Sequence, residues 1–379
     1  MTGIRFSRAS FQAKEMAYVG QALRSGHVAG DGPFTRLCEE ILAGETGAAR
    51  VLLTPSCTHA LEMAALLLNI QRADEVIVPS FTFVSTVNAF VLRGARPVFI
   101  DVRPDTLNMD ESLLEGLITP HTKAIVPVHY AGVGCEMDAI CEIAAAHGIP
   151  VVEDNAQGLF GKYKGRYLGT FGALATLSFH ETKNLTCGEG GALLINDATL
   201  VERAEIIREK GTNRAQFFRG QVDKYTWRDL GSSYLLSDIL AAVLLAQLEQ
   251  RDGIQAARKQ VWERYASDLR EWADANGVGL PHIPPHCEQP YHLFYLLLPA
   301  LEERSRLIET LKDAGIQAVF HYQPLHLSPM GRKWGYAEGD LPATERVADR
   351  LVRLPLYSTL GDDELMHTLA TIRSFKVRQ

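Results

Sequence analysis

The chain has 379 residues, of which 46% are hydrophobic and 22% are charged, a composition typical of a globular protein with a large core. Its formal net charge of −7 argues against a non-specific nucleic-acid or membrane-surface binder, so any phosphate site has to be local. We expect neither a membrane span nor a signal peptide, because there is no run of 18 apolar residues and no apolar region at the start. Six cysteines without a C-x-x-C pair predict free thiols in a reducing cytoplasm.

After helices and loops over residues 1–47, short apolar segments rich in Val and Ile alternate with helical patterns. Continuous apolar runs of this length are typical of strands covered on both faces. The alternation predicts an α/β fold with a mainly parallel sheet. The seven predicted strands are Val51–Thr54, Glu75–Pro79, Pro97–Asp101, Ala124–His129, Pro150–Asp154, Leu174–Phe179 and Ala192–Ile195.

The pattern changes near residue 251. The helix predicted at Ile239–Leu248 is apolar nearly all round and so should be buried, whereas from Ile254 the apolar residues form a single stripe. We therefore predict a large domain over 1–250 and a smaller C-terminal α/β domain over 251–379. Its predicted elements are strands at His292–Leu298 and Ala318–Tyr322 and helices at Glu303–Ala314, Ala343–Arg353 and Asp362–Arg373.

One lysine lies in a polar turn between two of the apolar runs. Lys183 follows the run at Leu174–Phe179 and precedes a glycine cluster at 188–191 that would let the backbone approach a bound group closely. Desolvation there would lower the lysine pKa toward neutrality, which suits Schiff-base chemistry with an aldehyde. A solvent-facing loop lysine is the alternative.

A carboxylate ends the strand before that turn. Asp154 closes an apolar run, and the carboxyl ends of strands are where open α/β sheets bind ligands. Pyridoxal 5'-phosphate enzymes need such a pair, because the lysine holds the cofactor and the carboxylate keeps its pyridine nitrogen protonated.

Three motifs then occur in order: E-D-N-A-Q-G at 153–158, Y-K-G-R-Y-L-G-T-F-G at 163–172 and S-F-H-E-T-K-N-L-T-C-G-E-G-G at 178–191. They resemble the DegT/DnrJ/EryC1/StrS family of sugar aminotransferases over essentially the whole chain. The resemblance implies PLP fold type I, the fold of aspartate aminotransferase, with a seven-stranded, mainly parallel sheet. It also implies pyridoxal 5'-phosphate as cofactor and a homodimer or higher oligomer with shared active sites.

By the same resemblance, the site residues can be placed on this sequence. Lys183 is the catalytic residue and Asp154 faces the pyridine nitrogen. The remaining cofactor contacts implied are Cys57, Thr58 and Ser178 at the phosphate, Phe83 stacked on the ring and Gln157 near the ring hydroxyl. Without the resemblance, a capped helix at 57–58 and a core phenylalanine would be the ordinary interpretations.

The segment 211–238 departs from the family pattern. Family members often carry an asparagine there that reaches the partner's phosphate, and Ser233 stands at that position. Arg214, Arg219 and Arg228 can meet a nucleotide diphosphate, or they can belong to a solvated basic loop. The resemblance also places His321 and Tyr322 at the mouth of the active site.

The segment resembles one branch of the family, the dTDP-4-amino-4,6-dideoxygalactose transaminases. It implies transfer of the amino group of L-glutamate to a nucleotide-linked 4-keto-6-deoxyhexose, for cell-surface polysaccharide of the enterobacterial common antigen type. Alternatives are a 3-amino sugar transaminase, a PLP/PMP-dependent sugar dehydratase, in which histidine replaces the lysine at 183, and a non-catalytic regulator. The nucleotide (dTDP or UDP) and the product's stereochemistry stay open. We expect no metal site.

Overall fold

The computed structural model describes residues 3–378. Its strands, in chain order, are β1 Arg50–Thr54, β2 Glu75–Pro79, β3 Arg96–Ile100, β4 Thr122–Ile125, β5 Val152–Asp154, β6 Lys162–Tyr163, β7 Arg166–Tyr167, β8 Leu174–Ser178, β9 Gly191–Ile195, β10 Cys287–Glu288, β11 Tyr295–Leu297, β12 Val319–Phe320 and β13 Leu351–Arg353.

The helices, in chain order, are α1 Ala13–Ser25, α2 Pro33–Thr46, α3 Cys57–Leu67, α4 Val84–Val91, α5 Met137–Ala146, α6 Val201–Arg208, α7 Arg214–Phe218, α8 Asp238–Glu249, α9 Arg251–Asp268, α10 Arg270–Asn276, α11 Leu301–Asp313, α12 Pro329–Arg332, α13 Pro342–Arg350 and α14 Asp362–Ser374. Within residues 3–378, none of these helices is long and apolar enough to cross a membrane.

A seven-stranded sheet in the order β3-β2-β4-β5-β8-β9-β1 forms the centre of the molecule. Its two halves are joined by parallel bridges between Ile125 and Val151 and between Val128 and Asp154. Strand β9 is antiparallel to both of its neighbours, while the other pairings are parallel. The prediction of a mainly parallel seven-stranded sheet is thus confirmed.

The sheet is buried on both faces, which explains why its strands are apolar throughout. Alternate residues of β1 point to opposite faces of the sheet. Leu52 packs with residues of α3 and α6, whereas Val51 and Leu53 pack with residues of α2 and α8. Helix α5 covers the same face as α2 and α8, nearer β2 and β4. The result is a three-layer α/β/α arrangement.

A second, smaller core lies around the antiparallel sheet β11-β13-β12, which α9, α11 and α14 cover. Ile4 near the start of the chain belongs to this core and bridges to Ile316.

Two local predictions differ from the structure. The helix predicted at Ala343–Arg353 ends at Arg350, and the next three residues form β13, the central strand of the smaller sheet. Leu351 and Val352 are fully buried in that strand. Their apolar pattern fits a helix or a strand, and pairing with the neighbouring strands decides between the two. The segment 211–238, for which a solvated basic loop is one interpretation of the sequence, contains the short helix α7.

The apolar helix near residue 240 is buried, as predicted, but within its own chain. Helix α8 packs against α1 and α2, and its residues belong to the core beneath β1 and β8. Burial within its own chain accounts for the apolar residues on nearly all sides of α8, so no partner subunit is needed to cover them.

Candidate active site

A cavity of about 670 Å³ opens at the carboxyl ends of β5 and β8 and is closed on its other side by the smaller sheet. The sequence-predicted residues that line it are Cys57, Thr58, Phe83, Asp154, Gln157, Ser178, Lys183, His321 and Tyr322. They come from five separate chain segments, which the fold brings together. Their individual roles toward a cofactor remain predictions.

The start of α3 can receive an anion. Ser56 is the N-cap, and its Oγ accepts the backbone N–H of His59 at 3.2 Å. Cys57 and Thr58 occupy the first two helical positions, where backbone N–H groups have no intrahelical acceptor and the helix dipole is positive. Both line the cavity, as does Ser178 at the end of β8. This donor set fits a phosphate group.

Gly191 allows β9 to approach this helix start. A Cβ at that position would lie 2.3 Å from the carbonyl carbon of Ser56 and 2.4 Å from the backbone nitrogen of Cys57. The close approach of strand and helix therefore requires glycine.

The carboxylate of Asp154 is buried and held in place by two hydrogen bonds. Its Oδ2 accepts the Thr86 hydroxyl at 2.7 Å, and its Oδ1 accepts the Ala156 backbone N–H at 3.1 Å. Thr86 in turn shares a hydrogen bond with Thr82 at 2.9 Å. The arrangement is suited to present a fixed negative charge to a protonated ring nitrogen.

Lys183 lies in the connection from β8 to β9 and points its amine into the same cavity. Burial lowers the pKa of Lys183 from its ordinary value, while the neighbouring Cys57 and Asp154 act in the opposite direction. A lysine that is more easily deprotonated is a better nucleophile toward an aldehyde and a better base. The expectation of a solvated loop lysine does not fit this environment.

Phe83 presents its ring to the cavity instead of to the core. Its side chain is 57% exposed at the start of α4, although it is a large apolar residue. Gln157 lies deeper, where its Oε1 accepts the Ala131 N–H at 2.7 Å and its Nε2 donates to the Tyr322 hydroxyl at 3.1 Å. An exposed aromatic ring and fixed polar groups in one cavity are suited to hold a planar ring.

Three residues that the sequence did not single out also belong to this site. Thr86 fixes Asp154, while His292 and Arg353 line the cavity from the smaller core. The sequence indicates Thr86 only weakly, as a hydroxyl side chain about one helical turn after Phe83. Nothing in the sequence connects His292 or Arg353 to Lys183, because each is more than a hundred residues away.

The tautomer of His292 follows from its neighbour. The side-chain amide of Asn184 donates to the Pro290 carbonyl at 2.6 Å and to Gln255 Oε1 at 3.0 Å, so its oxygen faces His292 Nδ1 at 2.9 Å. Nδ1 therefore carries the proton, and Nε2 is left as an acceptor. Burial, and then the charges of Lys183, Arg258 and Arg353, lower the pKa of His292 well below its ordinary value.

Four predicted residues do not line the cavity of their own chain: Arg214, Arg219, Arg228 and Ser233. Arg214 pairs with Glu209 at 3.0 Å and Arg219 pairs with Glu205 at 2.8 Å. The side chains of Arg228 and Ser233 are exposed. A contact between these residues and the cofactor pocket would have to come from another subunit.

Across residues 3–378, no group of three His, Cys, Asp or Glu side chains is placed to hold a metal ion.

Comparisons with known proteins agree with this geometry. The model of the DegT/DnrJ/EryC1/StrS aminotransferase family matches residues 9–373. The spore coat polysaccharide biosynthesis protein SpsC of Bacillus subtilis (strain 168) is 34% identical over 368 residues, which cover 95% of this chain and 94% of SpsC.

Solved structures of similar proteins superpose over nearly the whole chain. The aminotransferase TlmJ from Streptoalloteichus hindustanus is 31% identical, with a TM-score of 0.89 and 98% of each chain covered. The PLP form of the sugar aminotransferase Spr1654 from Streptococcus pneumoniae, described as putative, is 28% identical, with a TM-score of 0.90 and 98% of each chain covered. Its PMP form, at 29% identity, has the same TM-score and coverage. With Lys183, the buried carboxylate of Asp154 and the start of α3 in one cavity, the chain belongs to the DegT/DnrJ/EryC1/StrS family and is a pyridoxal-phosphate-dependent aminotransferase of fold type I.

Proposed function

We propose that the enzyme transfers the amino group of L-glutamate to C4 of a nucleotide-linked 4-keto-6-deoxyhexose. The product would be dTDP-4-amino-4,6-dideoxygalactose, for cell-surface polysaccharide of the enterobacterial common antigen type. The observation that carries the proposal is the presence of both Lys183 and Asp154 in one cavity beside a phosphate cradle. A sugar dehydratase would carry histidine at 183, and a regulator would not need the pair.

In this proposal each residue has a defined task. The N–H groups of Cys57 and Thr58, with Ser178, bind the cofactor phosphate, and Phe83 covers the ring. Pyridoxal phosphate, when bound, supplies an aldehyde that accepts the amino group and a ring that accepts electrons. Asp154 holds the proton on the ring nitrogen. Lys183 Nζ removes the α-proton of glutamate in one half-reaction and delivers a proton to the sugar carbon in the other.

Support for a polysaccharide precursor comes from the relative SpsC, whose name places it in spore coat polysaccharide biosynthesis. Support for a nucleotide-linked sugar comes from the basic segment 211–228, whose arginines can bind a diphosphate. We place the reaction in the cytoplasm, because all six cysteines are unpaired and lie among the described residues.

Borohydride reduction of the yellow holoenzyme tests the lysine assignment. The adduct, located by peptide mapping, is expected on Lys183, and Lys183→Ala should lose both the adduct and turnover while retaining its fold. An adduct on another lysine would contradict the assignment. Loss of the yellow colour on adding glutamate separates an enzyme from a regulator.

The substrate is tested with a panel of keto-sugar nucleotides. The enzyme is incubated with glutamate and dTDP- or UDP-linked 3-keto and 4-keto sugars, and the amino sugar is identified by NMR. Amination at C4 of the dTDP-linked sugar with galacto configuration is the expected result. Preferential amination at C3, or dehydration without amination, would replace the proposal with one of its alternatives.

We also propose a homodimer in which segment 211–235 reaches the partner's cavity. The segment exposes Phe218 (69%), Tyr225 (51%) and Trp227 (77%), aromatic side chains that are typical of interfaces when clustered beside arginines. In that arrangement Arg228, or a backbone N–H near Ser233, takes the place of the asparagine usual in the family.

Subunit mixing tests the shared site. Inactive Lys183→Ala is mixed with the double variant Arg219→Ala/Arg228→Ala under conditions of subunit exchange, and the heterodimer should regain one competent site. The matched control mixes Lys183→Ala with Asp154→Asn. Both residues line the cavity of one chain, so no heterodimer site is intact and no activity should return. A fully active monomer, or recovery in neither mixture despite proven exchange, would refute the shared site.

A further inference from the structure

His292 presents a hydrogen-bond acceptor of fixed direction to the cavity. Its Nδ1–H donates to Asn184 Oδ1 at 2.9 Å, which leaves the lone pair of Nε2 free. Within residues 3–378 no hydrogen bond occupies Nε2, although the half-buried imidazole lines the cavity. An acceptor that is fixed in this way and has no donor of its own is suited to a partner inside the cavity.

Two residues of α9 hold this imidazole in place. Arg258 is buried, and its Nε donates to the Tyr291 carbonyl at 3.1 Å while its Nη2 donates to the His292 carbonyl. Gln255 accepts a hydrogen bond from the Asn184 amide at 3.0 Å. Tyr291 has a φ of 55°, a left-handed conformation that is strained for a tyrosine. Strain that neighbouring groups hold in this way is typical of segments that place a functional side chain.

Two other imidazoles of the described residues line the cavity, but neither offers a lone pair to it. The Nδ1 of His180 accepts the backbone N–H of Thr182 at 3.3 Å, so its Nε2 carries the proton. The Nδ1 of His321 accepts the hydroxyl of Tyr130 at 3.0 Å, so its Nε2 also carries the proton. Of the three rings, His292 is therefore the one that can accept a hydrogen bond from inside the cavity.

The amine of Lys183 is an unpaired donor in the same cavity. It has no hydrogen-bond partner among the described residues, and Asn184 directly follows it in the chain. The side chain of Asn184 thus connects the backbone that carries the lysine to the ring of His292. Burial and then the charge of the nearby lysine lower the pKa of His292, which keeps its ring neutral and able to accept.

We propose that His292 is the positioning residue of Lys183, with Nε2 accepting a hydrogen bond from the lysine amine whenever that amine is not bonded to the cofactor. This inference rests on the proposed role of Lys183. In that role the amine takes a proton from one carbon and delivers a proton to another, so it has to stay directed at the substrate while it is free. A neutral acceptor suits this task, because a carboxylate would stabilise the ammonium and make it a poorer proton donor. The proton stays on Nζ throughout, and no charge passes to the imidazole.

The tautomer of His292 is measured by 15N NMR in cofactor-free protein with labelled histidine. The proton is expected on Nδ1. Lys183→Met should change the chemical shift of Nε2, because its donor is lost, and should leave that of Nδ1 in place. These measurements keep His292 itself unaltered, so they decide the question even where variants at position 292 fold poorly.

Two variants at position 292 then test the effect on the lysine. His292→Leu removes the acceptor, whereas the matched variant His292→Gln removes the imidazole but keeps an acceptor oxygen at a similar distance along the side chain. In the cofactor-free protein, the pKa of Lys183 is obtained from the pH dependence of its labelling by an amine reagent, followed by peptide mapping. The leucine variant should lower this pKa by about one to two units, the effect of losing a hydrogen bond to a charged group, and glutamine should restore most of it.

The other groups that act on the lysine stay the same in both variants. These are the thiol of Cys57, the carboxylate of Asp154 and the guanidinium of Arg353. His180→Leu is the control for the loss of an imidazole from the cavity wall. Because the ring of His180 has no free lone pair, the pKa of Lys183 should not change in this control.

The holoenzyme gives a readout that a merely structural role would not produce. In His292→Leu, the rate constants of both half-reactions should fall about 10-fold or more and by similar factors, because Lys183 carries the proton in both. The apparent affinity for glutamate should stay within about threefold of the wild type, since the lone pair serves the lysine and not the substrate.

Four outcomes would overturn the assignment. A proton on Nε2 in the wild type would remove the acceptor, and an unchanged pKa of Lys183 in His292→Leu would remove its effect. Equal shifts in the leucine and glutamine variants would assign His292 a packing role. A loss confined to the affinity for one substrate would assign the lone pair to that substrate. A borohydride adduct on a lysine other than Lys183 would instead refute the proposed role of Lys183 itself, so the two failures are distinguishable.

Discussion

Replacing Asp154 by asparagine separates the chemistry of the site from its folding. The carboxylate accepts a hydrogen bond from the Thr86 hydroxyl at Oδ2 and another from the Ala156 N–H at Oδ1. Asparagine can keep the bond to Ala156 through its oxygen. Its amide can donate to the Thr86 hydroxyl, which then donates to Thr82, 2.9 Å away. Because every polar atom keeps a partner, we expect the free energy of unfolding to change by less than about 1 kcal/mol.

Turnover should respond differently. The variant lacks the charge that, in the proposed mechanism, stabilises a protonated ring nitrogen. Loss of such a preorganised group costs at least ~100-fold in rate, or about 2.7 kcal/mol of transition-state stabilisation. Thr86→Val is the control: it keeps the carboxylate but removes one hydrogen bond to it, for which a loss of about tenfold is expected.

The measurements are urea unfolding, cofactor absorbance and the rate of the glutamate half-reaction. Asp154→Asn should bind pyridoxal phosphate, unfold near the wild-type midpoint and react slowly. Near-normal turnover would refute the role of the carboxylate. A large loss of stability would refute the hydrogen-bond exchange proposed for Thr86 and Thr82.

Two further outcomes are expected from the same cavity. In the cofactor-free protein, Lys183→Met should raise the urea midpoint near pH 7, because the folded-state pKa of Lys183 lies below its unfolded value of about 10.5. Between the folded-state and unfolded-state pKa values, the unfolded chain binds more protons than the folded chain. The destabilisation that Lys183 causes is therefore complete below its folded-state pKa and vanishes as the pH approaches 10.5. A difference in urea midpoint between the variant and the wild type that did not change with pH would contradict this. Gly191→Ala should weaken cofactor binding at least ~10-fold and lower the melting temperature, since the added carbon would lie 2.4 Å from the Cys57 nitrogen at the phosphate cradle. Unchanged affinity in an equilibrium titration with pyridoxal phosphate would count against that cradle.

The predictable part of this molecule is the part in which local sequence and fold agree. Asp154 and Lys183 follow strands whose apolar runs are easily recognised, and parallel strands bring their carboxyl ends to one edge. Ser56 precedes a helix that it caps in the usual way. These signals each occupy a few residues, so one sequence is enough to find them.

The other half of the site could not be found in this way. Arg353 was predicted as the end of a helix, because leucines and a valine around it fit a helical face as well as a strand. Only pairing with β11 and β12 decides the structure, and that pairing joins segments far apart in sequence. Likewise, the protonation of His292 depends on Asn184, whose own orientation depends on Pro290 and Gln255.

The size of the cavity limits what one subunit can recognise. About 670 Å³ lies in the ordinary range for a single ligand site, and here the same space has to hold the cofactor and the reacting part of each substrate. In the proposed reaction, the small amino donor would use the part of this space that the cofactor leaves free. The nucleotide diphosphate of the proposed substrate is larger than the donor and would extend out of the cavity. If the proposed homodimer forms, specificity for the donor should survive in an isolated subunit that retains its cofactor, whereas specificity for the nucleotide should depend on segment 211–235 of the partner subunit.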